Sequence, residues 1–254
     1  MASAALVLYF VVFLAVGGSA RTSPQLLTVQ IITILGVALA AYGVFREYPF
    51  ASSSALLPLA AALLGFLVLE WYVFVFSRYG RKKSQLIVLG QSLPELVFET
   101  LEGTRVTSQD FVGSKTALVF FRGNWCPLCM AQLRELRKRA DRLAAASVQV
   151  KLVSNQNIEK SRELFRKLDL PEHFEILYDR DLQAAKKLSI EDIGGTPGGM
   201  QGYPPDTVMA TVIALDADGH VVFGDETDNY RVRPHPDKFI PVFEDQGVTG
   251  GLAA

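Results

Sequence analysis

The chain has 254 residues, half of them hydrophobic, and its formal net charge at pH 7 is −1. This length accommodates one core domain with additional elements, and the near-neutral charge without a basic stripe argues against a nucleic-acid partner. Two cysteines are too few for a disulfide framework, so the hydrophobic core must stabilise the fold. The mean hydropathy of +0.24 is high for a soluble protein because apolar residues are concentrated in roughly the first 80 positions.

Three apolar segments begin the chain, at about 2–20, 24–45 and 52–76. A membrane helix needs about 20 predominantly apolar residues, so each segment is long enough to span a bilayer. Short polar breaks separate the segments, and Glu70 is the single charged residue within them. The sequence therefore predicts a membrane domain over residues 1–80, with three transmembrane helices joined by tight loops.

The first apolar segment has an alternative interpretation as a cleaved signal peptide, since it ends in the small residues Gly18, Ser19 and Ala20. Its beginning carries no Lys or Arg, which such signals normally require, so a retained helix is favoured. Cleavage would leave two membrane helices and would place the C-terminal domain outside the cell.

A basic cluster follows the third segment and comprises Arg78, Arg81, Lys82 and Lys83. Because basic residues beside membrane helices remain in the cytoplasm, we expect an integral membrane protein whose C-terminal domain is cytoplasmic. We assign residues 81–89 to a basic linker, 90–246 to the C-terminal domain and 247–254 to a flexible tail.

Alternating strand and helix patterns fill the C-terminal domain. A hairpin is predicted at 93–98 and 105–107, around Glu102 and Gly103. A buried strand at 116–121 precedes a helix at 127–146 with apolar residues at helical spacing. The remaining predictions are strands at 148–153, 174–177, 207–215 and 220–223, and helices at 157–168, 181–188 and 237–243. A β-α-β unit followed by a hairpin predicts an α/β fold with a mixed sheet covered by helices.

The two cysteines occupy the segment Trp125-Cys126-Pro127-Leu128-Cys129, between the buried strand and the following helix. A Cys-x-x-Cys pair at a helix N-terminus has a lowered thiol pKa and exchanges readily with disulfides. Pro127 suits the first helical turn, where its missing N–H costs nothing, and Trp125 is expected to cover one side of the sulfur. A zinc site needs four ligands, and the three histidines are scattered. We therefore expect no metal and no cofactor beyond a redox-active Cys126–Cys129 disulfide.

Three segments resemble a known family. They are Gly90-x3-Pro94 with Val97-x5-Gly103-x2-Val106, Phe121-Arg122-Gly123-x-Trp125-Cys126-Pro127-x-Cys129, and Ala210-Thr211-Val212-Ile213-Ala214-Leu215-Asp216-x2-Gly219. From about Gly90 to Phe243 the chain resembles the thioredoxin-fold redoxin superfamily. The second segment is most similar to its bacterial peroxiredoxin-like branch, the alkyl hydroperoxide reductase/thiol-specific antioxidant group. The resemblance implies a thioredoxin-like mixed sheet, and it makes a bacterial inner membrane the expected location.

In the thioredoxin-like frame, the resemblance implies that Cys126 attacks a substrate disulfide and that Cys129 resolves the mixed disulfide. Arg122, Gly123, Trp125 and Pro127 are then expected to support the dithiol. Family members place a cis-proline beside the dithiol. Here Met209, just before the strand at 210–215, is the favoured neighbour, which makes 194–205 an inserted loop that either covers the cysteines or is a plain surface connection.

The peroxiredoxin signature Pro-x3-Thr-x2-Cys is not preserved. Alignment on Cys129 places Arg122 and Cys126 at the proline and threonine positions, and alignment on Cys126 places Val119 and Gly123 there. The hydroxyl that would bind peroxide is therefore absent from the motif, and which cysteine attacks first stays open.

The favoured function is a membrane-anchored thiol–disulfide oxidoreductase, an enzyme that uses Cys126 and Cys129. The alternatives are a thiol-dependent peroxidase and a non-catalytic membrane scaffold or accessory subunit. The expected partners are the membrane, a protein dithiol or disulfide or a peroxide, and a membrane protein, with no nucleic acid. Arg231 and Arg233 either bind an anionic partner or fix the C-terminal turn, and the second role is favoured.

Overall fold

A computed structural model describes residues 24–47 and 53–244. Its N-terminal part contains two helices, α1 at Leu27–Glu47 and α2 at Ser53–Trp71, and a π-helical turn at Tyr72–Phe76 continues α2. The stretches Leu27–Arg46 and Leu56–Phe76 are long and apolar enough to cross a membrane, by length and composition. The first predicted segment, at about 2–20, lies outside the described residues, so the three-helix membrane domain stays a prediction.

α1 and α2 pack against each other through a small cluster made of Leu26, Val29, Leu69 and Val73. Thr33 of α1 is also buried, and its hydroxyl donates to the Val29 carbonyl at 2.8 Å. The outer surfaces are apolar and exposed, and they include Ile31, Leu35, Phe45, Leu57, Leu64 and Leu67. A continuous apolar surface of this kind marks a membrane or interaction surface.

The rest of the described chain forms a mixed sheet with helices on both faces. The strands are β1 Val97–Glu99, β2 Arg105–Thr107, β3 Lys115–Phe120, β4 Val148–Ser154, β5 Phe174–Tyr178, β6 Glu191–Asp192, β7 Thr207–Val208, β8 Thr211–Leu215 and β9 Val221–Asp225. The helices are α3 Pro127–Arg137, α4 Ala140–Ala145, α5 Ile158–Leu168, α6 Gln183–Leu188 and α7 Pro236–Glu244, with 3₁₀ turns at Ser108–Phe111 and Arg180–Leu182.

Seven strands form the main sheet in the order β2-β1-β5-β4-β3-β8-β9. β3, β4 and β5 are parallel, whereas β1, β2, β8 and β9 pair antiparallel with their neighbours. The predicted mixed α/β architecture and the predicted N-terminal hairpin are confirmed. Strand β3 lies in the interior of the sheet, as its continuous apolar run predicts.

Successive residues of β3 point to opposite faces of the sheet and contribute to two separate cores. Ala117 and Val119 join the first cluster, which holds both cysteines together with residues of α3, α5 and α7. Leu118 and Phe120 join the second cluster, which packs against the N-terminal hairpin and α6. The dithiol therefore lies on one defined face of the sheet.

Two predicted elements are each divided in the structure. The predicted helix at 127–146 becomes α3 and α4, because the Arg139 N–H bonds to the carbonyl of Leu136, three residues back, and tightens the last turn. The predicted strand at 207–215 becomes β7 and β8. β7 pairs with β6 in a separate two-stranded sheet, and the Met209 N–H bonds to the Ile190 carbonyl at 2.7 Å.

Arg81 differs from its predicted role as one of the exposed orienting cations. Its side chain is 1% exposed and pairs with Glu226 at 3.1 Å, and it also reaches the hydroxyl of Thr211 at 3.2 Å. The charge of Arg81 is therefore compensated inside the C-terminal domain. Lys82 and Lys83 remain exposed, and Arg78 forms an exposed pair with Asp228 at 3.8 Å.

Replacement of Glu226 by Ala should destabilise the C-terminal domain by about 3–5 kcal/mol, because it leaves the buried Arg81 guanidinium without its counter-charge. Urea unfolding of the full chain in detergent, followed by near-UV circular dichroism, measures the loss. The control is Glu95→Ala, which removes an exposed pair with Arg105 and should cost less than about 1 kcal/mol. Equal losses for the two variants would contradict the buried pair.

Candidate active site

The dithiol sits where the chain turns from β3 into α3. Cys126 is the N-cap of α3 with extended backbone angles, and Pro127 occupies the first turn. The N–H of Cys129 donates to the Cys126 sulfur at 3.4 Å. Both cysteines are free thiols and buried, Cys126 at 2% exposure and Cys129 at 0%. The amide of Cys129, in the first turn of the helix, thus points at the Cys126 sulfur, where it stabilises negative charge.

Gly123 shapes the turn that precedes the cysteines. Its φ of +144° belongs to the region that side chains rarely adopt, and an added Cβ would lie 2.9 Å from Nε1 of Trp125. Its carbonyl accepts the N–H of Cys126 at 3.1 Å. Gln156 braces the same turn by accepting the N–H of Asn124 at 2.9 Å. The position needs glycine because the backbone and the indole ring approach closely.

Arg122 organises the aromatic residues beside the dithiol. Its guanidinium forms an ion pair with Asp192 at 3.0 Å, and both side chains are largely buried. The same group lies 4.9 Å from the ring centroid of Trp125 and 5.8 and 5.7 Å from those of Tyr79 and Tyr230. A desolvated guanidinium over aromatic faces is held by cation–π attraction as well as by its carboxylate.

The two thiols have pKa values displaced in opposite directions. Burial acts against ionisation of Cys129, but the hydrogen bond from Cys126 and the charges of Arg233 and Arg122 lower the pKa of Cys129 to about 5. The hydrogen bond to Cys129, followed by burial, raises the pKa of Cys126. These opposite directions favour a thiolate on Cys129 and a thiol on Cys126, so the pair ionises as a unit.

A pocket of about 480 Å³ opens beside Cys126. Cys126 is among the residues that line it, whereas Cys129 is not. The lining comes from three regions, and Arg122 and Tyr230 complete the wall. The regions are the start of α3 (Trp125, Cys126, Pro127, Leu128), the end of β6 with the loop that follows it (Asp192, Ile193, Gly194, Gly195, Pro197) and the segment after α2 (Phe76, Arg78, Tyr79). A molecule in the pocket therefore lies beside Cys126.

The loop at 194–205, which the sequence left open between a cover and a plain surface connection, contributes to this pocket. Gly194, Gly195 and Pro197 line it, and the carbonyl of Gly195 accepts a hydrogen bond from the Arg122 guanidinium. The start of the loop thus belongs to the wall beside Cys126.

Among the sequence-predicted site residues, Arg122, Trp125 and Pro127 lie with Cys126 at the pocket, and Gly123 lies in the turn before it. Met209 is placed differently, because it packs against the second cluster rather than the one that holds the cysteines. Part of the reason is its backbone bond to Ile190, which aligns the chain with β6.

Two residues that sequence reasoning did not assign to the dithiol belong to its surroundings. Arg233 is 2% exposed and its charge acts on both thiols. Tyr79 lines the pocket and lies far before the motif in sequence. Arg231, two residues before Arg233, instead binds the two ends of the apolar helix pair α1–α2, which we call the apolar hairpin. It donates to the Ser77 hydroxyl at 2.7 Å and to the Pro24 carbonyl at 2.9 Å.

A possible cation cluster lies elsewhere, in the turn between β8 and β9. Asp216, Asp218 and His220 bring ligand atoms within 4.8 Å of one another. Asp216 already accepts the backbone N–H groups of Asp218 and His220, at 3.0 and 2.8 Å. These bonds account for the carboxylate as a turn-forming group, and we assign no metal to it.

A model of the AhpC/TSA family matches residues 89–223, more than half of the chain. Among solved structures, the chain is similar to peroxidoxin BcpB from Mycobacterium tuberculosis, with 15% identity, a TM-score of 0.51 and coverage of 65% of this chain and 98% of that one. It is also similar to reduced Prx3 from Vibrio vulnificus in complex with H₂O₂, with 20% identity, a TM-score of 0.53 and coverage of 62% of this chain and 99% of that one. A thiol peroxidase from Chromobacterium violaceum has 14% identity and a TM-score of 0.52, with coverage of 68% of this chain and 97% of that one. These likenesses establish a thioredoxin-like fold, and no curated protein matches the chain at a significant level.

Substitution of Arg233 by Met should raise the pH at which the dithiol becomes reactive. The wild-type pair loses reactivity as the pH falls through about 5, because protonation removes the thiolate. Loss of a cation close to the sulfur should move this midpoint upward by about 1–3 pH units. The ultraviolet absorbance of the thiolate, followed as a function of pH, measures the midpoint whichever sulfur carries the charge, and Arg233→Lys should restore much of the shift. An unchanged midpoint in Arg233→Met would contradict the role of this arginine.

Proposed function

Because this chain belongs to the AhpC/TSA family, we propose that its Cys126–Cys129 dithiol reduces hydroperoxides. Family membership makes the protein a redox enzyme, a thiol-dependent antioxidant. The observation that carries the proposal is the free Cys126 thiol, which lines a pocket and hydrogen-bonds to a second thiol of lowered pKa. A non-catalytic scaffold would have no need for a buried thiolate whose charge is balanced by Arg233 and Arg122.

The first step is nucleophilic attack by Cys126. The Cys129 thiolate accepts the Cys126 proton through their hydrogen bond, and the Cys126 thiolate attacks the terminal oxygen of the hydroperoxide. An S–O bond forms, the O–O bond breaks, and the departing alkoxide leaves as the alcohol after protonation. Cys126 is thereby oxidised to a sulfenic acid.

The second step is resolution by Cys129. Its sulfur lies in the first turn of α3, beside Cys126, and attacks the sulfenic sulfur to form the Cys126–Cys129 disulfide with release of the sulfenic oxygen as hydroxide or water. A thiol reductant supplied by a partner then returns the disulfide to the dithiol by exchange. The neighbouring cysteine thus protects the sulfenic acid from further oxidation.

Reduction of protein disulfides is the second candidate function, and the Cys-x-x-Cys spacing favours it. The same Cys126 thiolate would attack a disulfide sulfur in place of a peroxide oxygen, and Cys129 would resolve the mixed disulfide. The peroxidase is preferred because the chain belongs to the AhpC/TSA family and its similar structures include a thiol peroxidase and a Prx3 in complex with H₂O₂.

Cys126→Ser should abolish peroxide reduction, because it removes the sulfur that lines the pocket. Cys129→Ser should still be oxidised once, and it should stop at a sulfenic acid because the resolving thiol is missing. Stopped-flow tryptophan fluorescence during mixing with peroxide follows the oxidation, and mass spectrometry after dimedone labelling identifies the sulfenic acid on Cys126.

The same three proteins decide between the two candidate functions. A wild-type dithiol that peroxide oxidises slowly, but that reduces insulin in the presence of dithiothreitol, would favour disulfide reduction. Sulfenic acid on Cys129 in the Cys126→Ser variant, with retained peroxide turnover, would reverse the assignment of the attacking cysteine.

We also propose that α1 and α2 anchor the enzyme in a membrane, with the catalytic domain in the cytoplasm. The support is the length and apolar composition of Leu27–Arg46 and Leu56–Phe76 and their exposed apolar faces. Arg78, Lys82 and Lys83, which are exposed beside the second helix, agree with the cytoplasmic orientation.

The anchored protein should remain in the membrane pellet after extraction at alkaline pH, because hydrocarbon contacts do not depend on charge. An alkaline phosphatase fused to the C-terminus, active only after export, should be inactive, whereas a cytoplasmic reporter should be active. Release into the supernatant would contradict the anchor, and an active phosphatase would contradict the orientation.

A further inference from the structure

Peroxide reduction at Cys126 requires a proton donor for the departing oxygen, and the dithiol is poorly placed to be that donor. When the O–O bond breaks, negative charge develops on the departing oxygen, and a positioned acid that protonates it lowers the barrier. Cys129 cannot easily serve at the pocket, because it is fully buried and does not line the cavity. A group that faces the pocket is therefore the better placed proton donor within the protein.

Two hydroxyl groups belong to the described residues that line the pocket, those of Tyr79 and Tyr230. The Tyr230 hydroxyl already hydrogen-bonds to the Tyr72 hydroxyl at 3.0 Å. The oxygen of Tyr79 accepts the backbone N–H of Ala210 at 3.4 Å, an interaction that uses a lone pair and leaves the phenolic proton to donate.

The other polar lining groups near Cys126 are the Arg122 guanidinium, the Asp192 carboxyl and the indole N–H of Trp125. The indole N–H has no hydrogen-bond partner among the described residues, but it is too weak an acid to protonate a departing oxygen. Arg122 and Asp192 form an ion pair at 3.0 Å, which holds the carboxyl as an acceptor and directs the guanidinium toward it. The phenol of Tyr79 is therefore the uncharged acid best placed for a departing oxygen among the described residues of this wall.

We infer that Tyr79 is a catalytic residue that donates its hydroxyl proton to the oxygen leaving the hydroperoxide. The inference rests on the proposed function, since peroxide reduction is the reaction that produces a departing alkoxide. Tyr79 belongs to the segment that follows α2, so the chain that leaves the apolar hairpin would complete the catalytic machinery.

The proton balance closes over the two steps. The Cys126 thiolate takes the terminal OH of the hydroperoxide, the alkoxide takes the Tyr79 proton, and a phenolate remains. Cys129 then gives its thiol proton to Tyr79 and attacks the sulfenic sulfur, and hydroxide leaves. The dithiol monoanion and one hydroperoxide become one disulfide, one alcohol and one hydroxide ion.

The surroundings keep Tyr79 fixed and protonated. Its backbone N–H donates to the Asp228 carbonyl at 2.7 Å, and its ring packs edge-on to Tyr230 with centroids 6.4 Å apart. Burial raises the pKa of Tyr79, and the nearby arginines offset this only in part. The hydroxyl of Tyr79 therefore carries its proton at neutral pH, where the thiolate is present.

The test compares wild type with Tyr79→Phe in the full chain, using two oxidants with different leaving groups. With tert-butyl hydroperoxide, whose alkoxide must be protonated, the second-order rate of Cys126 oxidation should fall by about 10²–10⁴. With peracetic acid, whose acetate leaves without a proton, the loss should be much smaller. Alkylation by iodoacetamide should be unchanged, because it needs the thiolate and no acid.

Tyr178→Phe is the matched control, since it removes a half-buried phenol outside the pocket, and it should react like wild type with both oxidants. Equal rates for wild type and Tyr79→Phe with tert-butyl hydroperoxide would overturn the role of Tyr79. Equal losses with both oxidants would assign Tyr79 to packing instead, and loss in Tyr230→Phe alone would assign the acid to Tyr230. Failure of wild type to react with any hydroperoxide would overturn the proposed function, and this role with it.

Discussion

A single negative charge, shared by two buried thiols, is the constraint on which the rest of the site depends. A buried anion is stable only when a cation and hydrogen-bond donors compensate it. The first turn of α3 supplies the Cys129 amide to Cys126, but the cations come from elsewhere: Arg122 follows β3 and Arg233 lies in the segment before α7. The fold must therefore bring the C-terminal part of the chain to the first turn of α3.

The same requirement joins the apolar hairpin to the redox domain. Arg231 binds the Ser77 hydroxyl and the Pro24 carbonyl, while Arg233, two residues later, acts on the dithiol. Between these arginines and the helices lie Tyr72 and Tyr230, whose hydroxyls meet. The hairpin is thus more than an attachment, because the segment that leaves it forms one wall of the pocket beside Cys126.

Local patterns predicted most of the elements and missed the points at which tertiary contacts interrupt them. The continuous apolar run of β3 and the hairpin around Gly103 were confirmed because each is dictated by burial or turn chemistry over a few residues. The predicted helix at 127–146 ignored the tightened turn at Arg139, and the predicted strand at 207–215 ignored the backbone bond between Met209 and Ile190. The periodicity of apolar residues indicates which face of an element is buried, but it does not indicate which carbonyl accepts each backbone N–H.

The sequence by itself determined the dithiol and its immediate setting, since Cys126, Pro127 and Cys129 lie within one helical turn and their geometry is local. It also determined the apolar helices, because composition alone distinguishes them. Only the tertiary structure decided that Arg81 is a buried counter-ion, that Arg233 lies close to the thiols and that Tyr79 lines the pocket beside Cys126. Long-range burial and charge pairing made those choices, and neither leaves a periodic signal in the chain.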